Sequence, residues 1–185
     1  MKRWLTLLMM LGTVAGLGLV APTVAQAETP YCGIVWGSLP ETAGSLSVPP
    51  LINVRAGQHE CYDRLVLDIG GAASGYDVRY VTAVRDQGAG NVVPLRGGAF
   101  LEIVLMNPAY DVYTGQPTYM PANPQELVNV YGWRTFRQVA SGGTFEGYTT
   151  IGLGVRARLP FRVFTLAGPG GNSRVVIDVA HRWLA

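Results

Sequence analysis

The sequence predicts an all-β fold, an antiparallel β-sandwich of about eight to ten short strands. Three observations carry that expectation. Apolar and polar residues alternate with period two in segment after segment. Those segments are rich in β-branched and aromatic residues, and glycine pairs punctuate them at Gly70-Gly71, Gly97-Gly98, Gly142-Gly143 and Gly170-Gly171. No long run places apolar residues at helical spacing, so any helix is expected to be short.

The first residues read as an export signal over 1–27. Lys2 and Arg3 form a positive start, Leu5 to Val20 are mostly apolar, and Ala25-Gln26-Ala27 is an A-x-A cleavage site. An uncleaved anchor is the rival reading, and Pro22 with the small residues before Glu28 argues against it. No later stretch is apolar enough to span a bilayer, so no stable membrane insertion is expected once the leader is removed. The expected location is extracellular or in the cell envelope.

Of the 14 basic residues, Lys2 and Arg3 leave with the leader, and the remaining arginines balance the 12 acidic residues. A chain of near-zero charge is no nucleic-acid binder. With lysine gone, every remaining cation is an arginine, whose planar fork suits carboxylates and phosphates.

Residues 28–50 are rich in Pro, Gly and Ser and read as an extended arm. Cys32 lies in it, and Cys61 follows in the domain expected over 51–185. An even cysteine count in an oxidising compartment suggests a bridge stapling the arm to the domain. The rival is a metal site built from Cys32, His59, Glu60, Cys61 and Asp63, but the spacing lacks the paired ligands usual for zinc.

Strands are then expected in order. In 64–69, Leu65, Leu67 and Ile69 share a face. Tyr76, Val78 and Tyr80 alternate with Asp77, Arg79 and Val81, and Leu101, Ile103 and Leu105 with Phe100, Glu102 and Val104. Ile151, Leu153 and Val155 share a face, and 161–166 and 175–179 are two more strands. Segments 52–54, 92–95, 128–131 and 136–139 are weaker candidates.

One long loop interrupts this rhythm, from Asn107 to Gln125. It holds Pro108, Pro117, Pro121 and Pro124 with Tyr110, Tyr113 and Tyr119. Long loops in compact domains are usually functional or disordered. Prolines that fix tyrosines suit stacking on a sugar or a partner. The plainer reading is a lid over one open sheet edge or face, with the tyrosines buried.

The chain also echoes itself. Arg64-Leu65-Val66-Leu67-Asp68-Ile69 matches Arg174-Val175-Val176-Ile177-Asp178-Val179. Residues four apart in a strand share a face, so Arg64 with Asp68, and Arg174 with Asp178, are expected as same-face ion pairs.

Segments Cys61-Tyr62-Asp63-Arg64-Leu65-Val66, Gly75-Tyr76-Asp77-Val78-Arg79-Tyr80, Phe145-Glu146-Gly147-Tyr148-Thr149, Pro160-Phe161-Arg162-Val163-Phe164 and Arg174 to His181 together resemble the AMIN-like domain family. The likeness runs from about Leu51 to the C terminus. The family occurs in secreted proteins and lipoproteins of actinobacteria. It is similar to the AMIN domain of cell-wall amidases and secretins, a sandwich that localises proteins in the envelope and can bind peptidoglycan. The resemblance implies a sandwich and an envelope role, and it carries over no catalytic residues.

The residues themselves offer little chemistry. The histidines are His59 and His181; no G-x-S-x-G elbow or zinc spacing occurs. Gly152 to Ala157 fits a G-x-G-x-x-A count, but Arg158-Leu159-Pro160 follows where a helix would be needed. No enzyme activity, metal or cofactor is expected. Trp133, Arg134, Arg137, Tyr148 and Arg156 would make a sugar and carboxylate platform if they cluster, and Trp133 is otherwise a core anchor. Glu146 reads as a partner for Arg134 or Arg156, or as a ligand contact. His181 reads as a packed or surface residue. The expected function is an exported binding module for a cell-wall glycan. A partner protein in the envelope is the alternative, and an unrecognised wall hydrolase the second alternative.

Overall fold

Period-two alternation becomes nine strands in the computed structural model, which describes residues 30–72 and 75–183. The predicted leader lies outside the described residues. The strands are β1 (Glu41–Ala43), β2 (Leu51–Gln58), β3 (Tyr62–Ile69), β4 (Tyr76–Val81), β5 (Ala99–Leu105), β6 (Phe136–Phe145), β7 (Tyr148–Val155), β8 (Phe161–Ala167) and β9 (Ser173–Ala180). The only helical pieces among the described residues are three-residue 3-10 turns at Tyr31–Gly33 and Pro169–Gly171.

One sheet has the order β1-β4-β5-β7-β6 and the other β2-β3-β9-β8, and every pairing is antiparallel. This is the β-sandwich that the alternation predicts. The inward rows interdigitate: Leu65, Leu67 and Ile69 from β3 and Val175, Ile177 and Val179 from β9 meet Leu101, Ile103 and Leu105 from β5 and Ile151, Leu153 and Val155 from β7. Burial of such side chains contributes about 1.5–3 kcal/mol each and is the main force holding the sheets together.

Two weaker strand candidates are not strands. Val92 forms only an isolated bridge with Arg85, and 128–131 is irregular. The reason is tertiary. The segment between β4 and β5 folds over the outer face of the first sheet, where Val84 and Val93 pack on Ala140 with Leu95 and Phe100. Gly154 permits this approach, since a Cβ there would lie 1.9 Å from the Arg96 carbonyl oxygen. The other two weaker candidates are real and longer than expected, as β2 and β6.

Residues before Leu51 are bonded to both sheets. β1 pairs with β4, the Phe161 N–H donates to the Gly37 carbonyl (2.8 Å), and the Val163 N–H donates to Glu41 Oε2 (2.9 Å). Cys32 and Cys61 form a disulfide with 6.2 Å between their Cα atoms, so neither thiolate is free to bind a metal.

The echo segments pair with each other, and this corrects the expected ion pairs. β3 and β9 are antiparallel neighbours in which Arg64 faces Asp178 and Asp68 faces Arg174. Arg64 binds Asp178, and Asp68 binds Arg55 of β2. Residues four apart along one strand are about 13 Å apart, whereas register partners are about 5 Å apart, so the cross-strand pairing wins.

Candidate functional site

The long loop is an ordered structure built by its own polar residues. Tyr110 bridges to Pro117, and the Asp111 carboxylate accepts from the Tyr113 and Thr114 N–H groups at 2.8 and 2.9 Å. Those bonds from Thr114 and Tyr113 hold the Asp111 carboxyl below its usual range. Farther along, the Pro124 carbonyl accepts from Ser141 N–H (2.7 Å) and the Gln125 carbonyl from Gln138 Nε2 (2.8 Å). β6 is the edge of its sheet, and this tail of the loop covers it.

The first half of the loop roofs the end of the sandwich. Under it lies a cavity of ≈ 350 Å³. Tyr110, Pro117, Tyr119 and Pro121 contribute rigid faces, and Leu51 and Ile151 line it from the core. Ser141, Thr144 and Thr149 bring hydroxyls. Thr149 occupies the first inward position of β7, and Thr144 is its register partner on β6. A bulge at Gly142-Gly143 shifts the register between Ser141 and Thr144, re-aiming both toward the cavity. Gly142 is required there, because a Cβ would lie 2.7 Å from Thr150 Cγ2.

Hydrogen bonds fix most of this lining. Thr149 Oγ1 is 2.8 Å from the Asn107 carbonyl, Thr144 Oγ1 donates to the Tyr148 carbonyl (2.9 Å), and the Tyr110 hydroxyl accepts from Gly147 N–H (3.1 Å). The Tyr119 hydroxyl has no hydrogen-bond partner among the described residues, and burial raises its pKa. Aromatic faces with a few convergent hydroxyls suit an uncharged polar ligand. The lining holds no carboxylate, histidine or thiol that would serve as acid, base or nucleophile. Among the described residues, no group of three or more His, Cys, Asp or Glu is placed to hold a metal.

The nine residues picked from the sequence fall at two ends of the sandwich. Tyr110 and Tyr119 line the cavity, and Tyr113 stands at the loop tip, 86 % exposed. Glu146 and Tyr148 flank the same end in the β6–β7 hairpin. Glu146 (φ 49°) and Gly147 (φ 86°) make its two-residue turn, and no ion pair reaches Glu146 among the described residues. Its expected partners Arg134 and Arg156 are at the far end of β6 and β7, a full strand length away. Trp133, Arg134, Arg137 and Arg156 belong to that far end. Trp133 stacks on Phe136 with ring centroids 5.9 Å apart, and Arg137 is held by the carbonyls of Trp133 and Phe136.

A third group of residues lies on the outer face of the second sheet. Asp178 holds Arg64 and Arg162, and these guanidiniums layer between Trp36, Tyr62 and Phe164, with Arg162 4.3 Å from the Trp36 ring centre. The signal was the alternation Tyr62-x-Arg64 and Arg162-x-Phe164, which reads as ordinary surface until the strands are set side by side.

A family model for the AMIN-like domain matches residues 49–181. The chain belongs to the AMIN-like domain family. The match covers every strand from β2 to β9 and includes the whole of the cavity lining. No curated protein and no solved structure matches the chain. AMIN-like membership assigns this sandwich to a cell-wall-related class of binding module. No helix among the described residues is long and apolar enough to cross a membrane.

Proposed function

We propose that the protein is exported by its N-terminal leader and binds a cell-wall glycan, with one sugar unit in the cavity beneath the Tyr/Pro loop. One observation carries this reading: a preformed space of ≈ 350 Å³ where Tyr110 and Tyr119 present rings beside the hydroxyls of Ser141, Thr144 and Thr149. Sugars offer apolar C–H faces and a rim of hydroxyls, and that lining complements both. Prolines on either side hold the rings in place, so little ordering entropy is lost on binding. The AMIN-like family and a lining without carboxylate, histidine or thiol support binding without catalysis.

Retention on purified cell wall stripped of proteins tests the reading. The native chain is expected to be retained and Tyr119→Ala to be released. Retention that disappears when wall proteins are removed would favour the second reading, a protein partner. That reading has its own support in the exposed apolar side chains Val112, Tyr113 and Met120 on the loop's outer surface. Release of soluble sugar or peptide by the pure protein would instead show an enzyme.

A further inference from the structure

At the end of the sandwich away from the cavity, Arg134, Arg156 and Arg182 line one depression of ≈ 430 Å³ with Tyr31 and His181. None of these three guanidiniums is in an ion pair among the described residues. Their fixed contacts are to uncharged groups. Arg134 Nη1 donates to the Glu60 carbonyl (3.2 Å), Arg156 Nη2 donates to the His181 carbonyl, and Arg182 lies 4.0 Å from the Tyr31 ring centre. Such contacts aim each guanidinium without neutralising it. A guanidinium has five N–H donors, so most donors in this corner remain available.

We propose that this corner is an oxyanion site, taking a phosphate or carboxylate group, and that the Cys32–Cys61 disulfide assembles it. Each arginine's anchor is tied to a half-cystine. Tyr31, the platform of Arg182, precedes Cys32. Glu60 precedes Cys61, and its carbonyl accepts from both Arg134 and the Tyr31 hydroxyl (3.4 Å). The His181 N–H donates to the Cys61 carbonyl (3.0 Å), which sets the carbonyl that holds Arg156. His181 is itself buried: Nε2 donates to the His59 carbonyl (3.0 Å) and Nδ1 meets Thr135 Oγ1 (2.9 Å). The bridge therefore joins the two segments, Tyr31-Cys32 and Glu60-Cys61, on which the anchors of the three cations rest, and forked donors bind oxyanions more strongly than neutral groups. This site does not depend on the sugar cavity.

Arginine side-chain NMR, with inorganic phosphate and with acetate titrated separately at low salt, tests it. Saturable shifts are expected at Arg134, Arg156 and Arg182, with Arg85, an arginine elsewhere that is also outside any ion pair among the described residues, unmoved. Tighter phosphate binding points to a phosphodiester polymer as the natural source, and tighter acetate binding to a peptide or uronic carboxylate. The double variant R134Q/R156Q should bind at least about tenfold more weakly. Reduction should weaken binding in protein that keeps its β-sheet circular dichroism. If reduction unfolds the chain, Tyr31→Ala with the bridge intact should weaken binding several-fold. Tyr119→Ala should leave this titration unchanged, which separates it from the glycan reading. Non-saturable shifts, or shifts of equal size at Arg85, would overturn the proposal. So would binding that survives both the double arginine variant and Tyr31→Ala.

Discussion

Arg64 and Asp178 face each other across β3 and β9, with Nε 2.6 Å from Oδ1 and Nη2 2.8 Å from Oδ2. The carboxylate is wholly buried and also accepts from Arg162 Nε at 2.9 Å. One aspartate thus ties three strands, β3, β9 and β8, on the outer face of the second sheet. Asp178→Ala is expected to lower stability by roughly 3 kcal/mol, because it leaves two guanidiniums without their acceptor. That corresponds to a fall in melting temperature of about 6–12 °C. Asp178→Asn keeps an acceptor and should cost less. Thermal unfolding of both variants checks the order, and equal stability of the alanine variant would show the pair to be dispensable.

The disulfide should matter to the fold as well as to the arginine corner. Closing the loop between Cys32 and Cys61, 29 residues apart, is worth about 3–4 kcal/mol in the chain-entropy model. Melting in the presence of reductant should fall accordingly, and an unchanged transition would mean that the bridge contributes nothing.

Close backbone approach makes a second kind of prediction. Gly154→Ala should destabilise by about 1–3 kcal/mol, since its Cβ would overlap the Arg96 carbonyl and lift the covering segment off the first sheet. Gly88→Ala meets nothing within 4 Å and should change stability by less than about 0.5 kcal/mol. Denaturant midpoints of the two variants test the contrast.

Tyr80 gives a pH dependence with a defined sign. Burial pushes its hydroxyl up to about 12, against an ordinary value of 10.0, although the Leu159 backbone and Arg158 oppose the shift. The hydroxyl donates to the Leu159 carbonyl (2.8 Å) and accepts from its N–H (2.9 Å). A raised folded value means that the native state holds the proton more tightly. Its stabilisation is complete below pH 10 and is lost as pH rises toward 12. Phenolate absorbance should show a late-titrating tyrosine that Tyr80→Phe removes.

Period-two alternation makes the core legible from the residues alone: Leu65, Leu67, Ile69, Leu101, Ile103 and Leu105 all fall on buried faces. It fails at 92–95 and 128–131, because a short apolar run looks the same whether it joins a ladder or packs side chains onto a sheet. The echo around Arg64 and Arg174 is readable as a pattern. Its pairing is not, since register between distant strands is set by topology. In the same way the Tyr/Pro loop points to the cavity, but Ser141 and Thr144 come into place beside Thr149 only through the glycine bulge. The gathering of Tyr31 with Arg182 has no local signal, for it depends on a bridge and three strand ends.

Calorimetric titration with a soluble disaccharide–peptide fragment of peptidoglycan tests the central claim most directly. Saturable one-to-one binding is expected, with the fragment recovered intact. Tyr119→Ala should weaken that binding at least about tenfold while the melting curve stays cooperative. No heat of binding to the native chain, or equal affinity in the folded Tyr119→Ala variant, would contradict it.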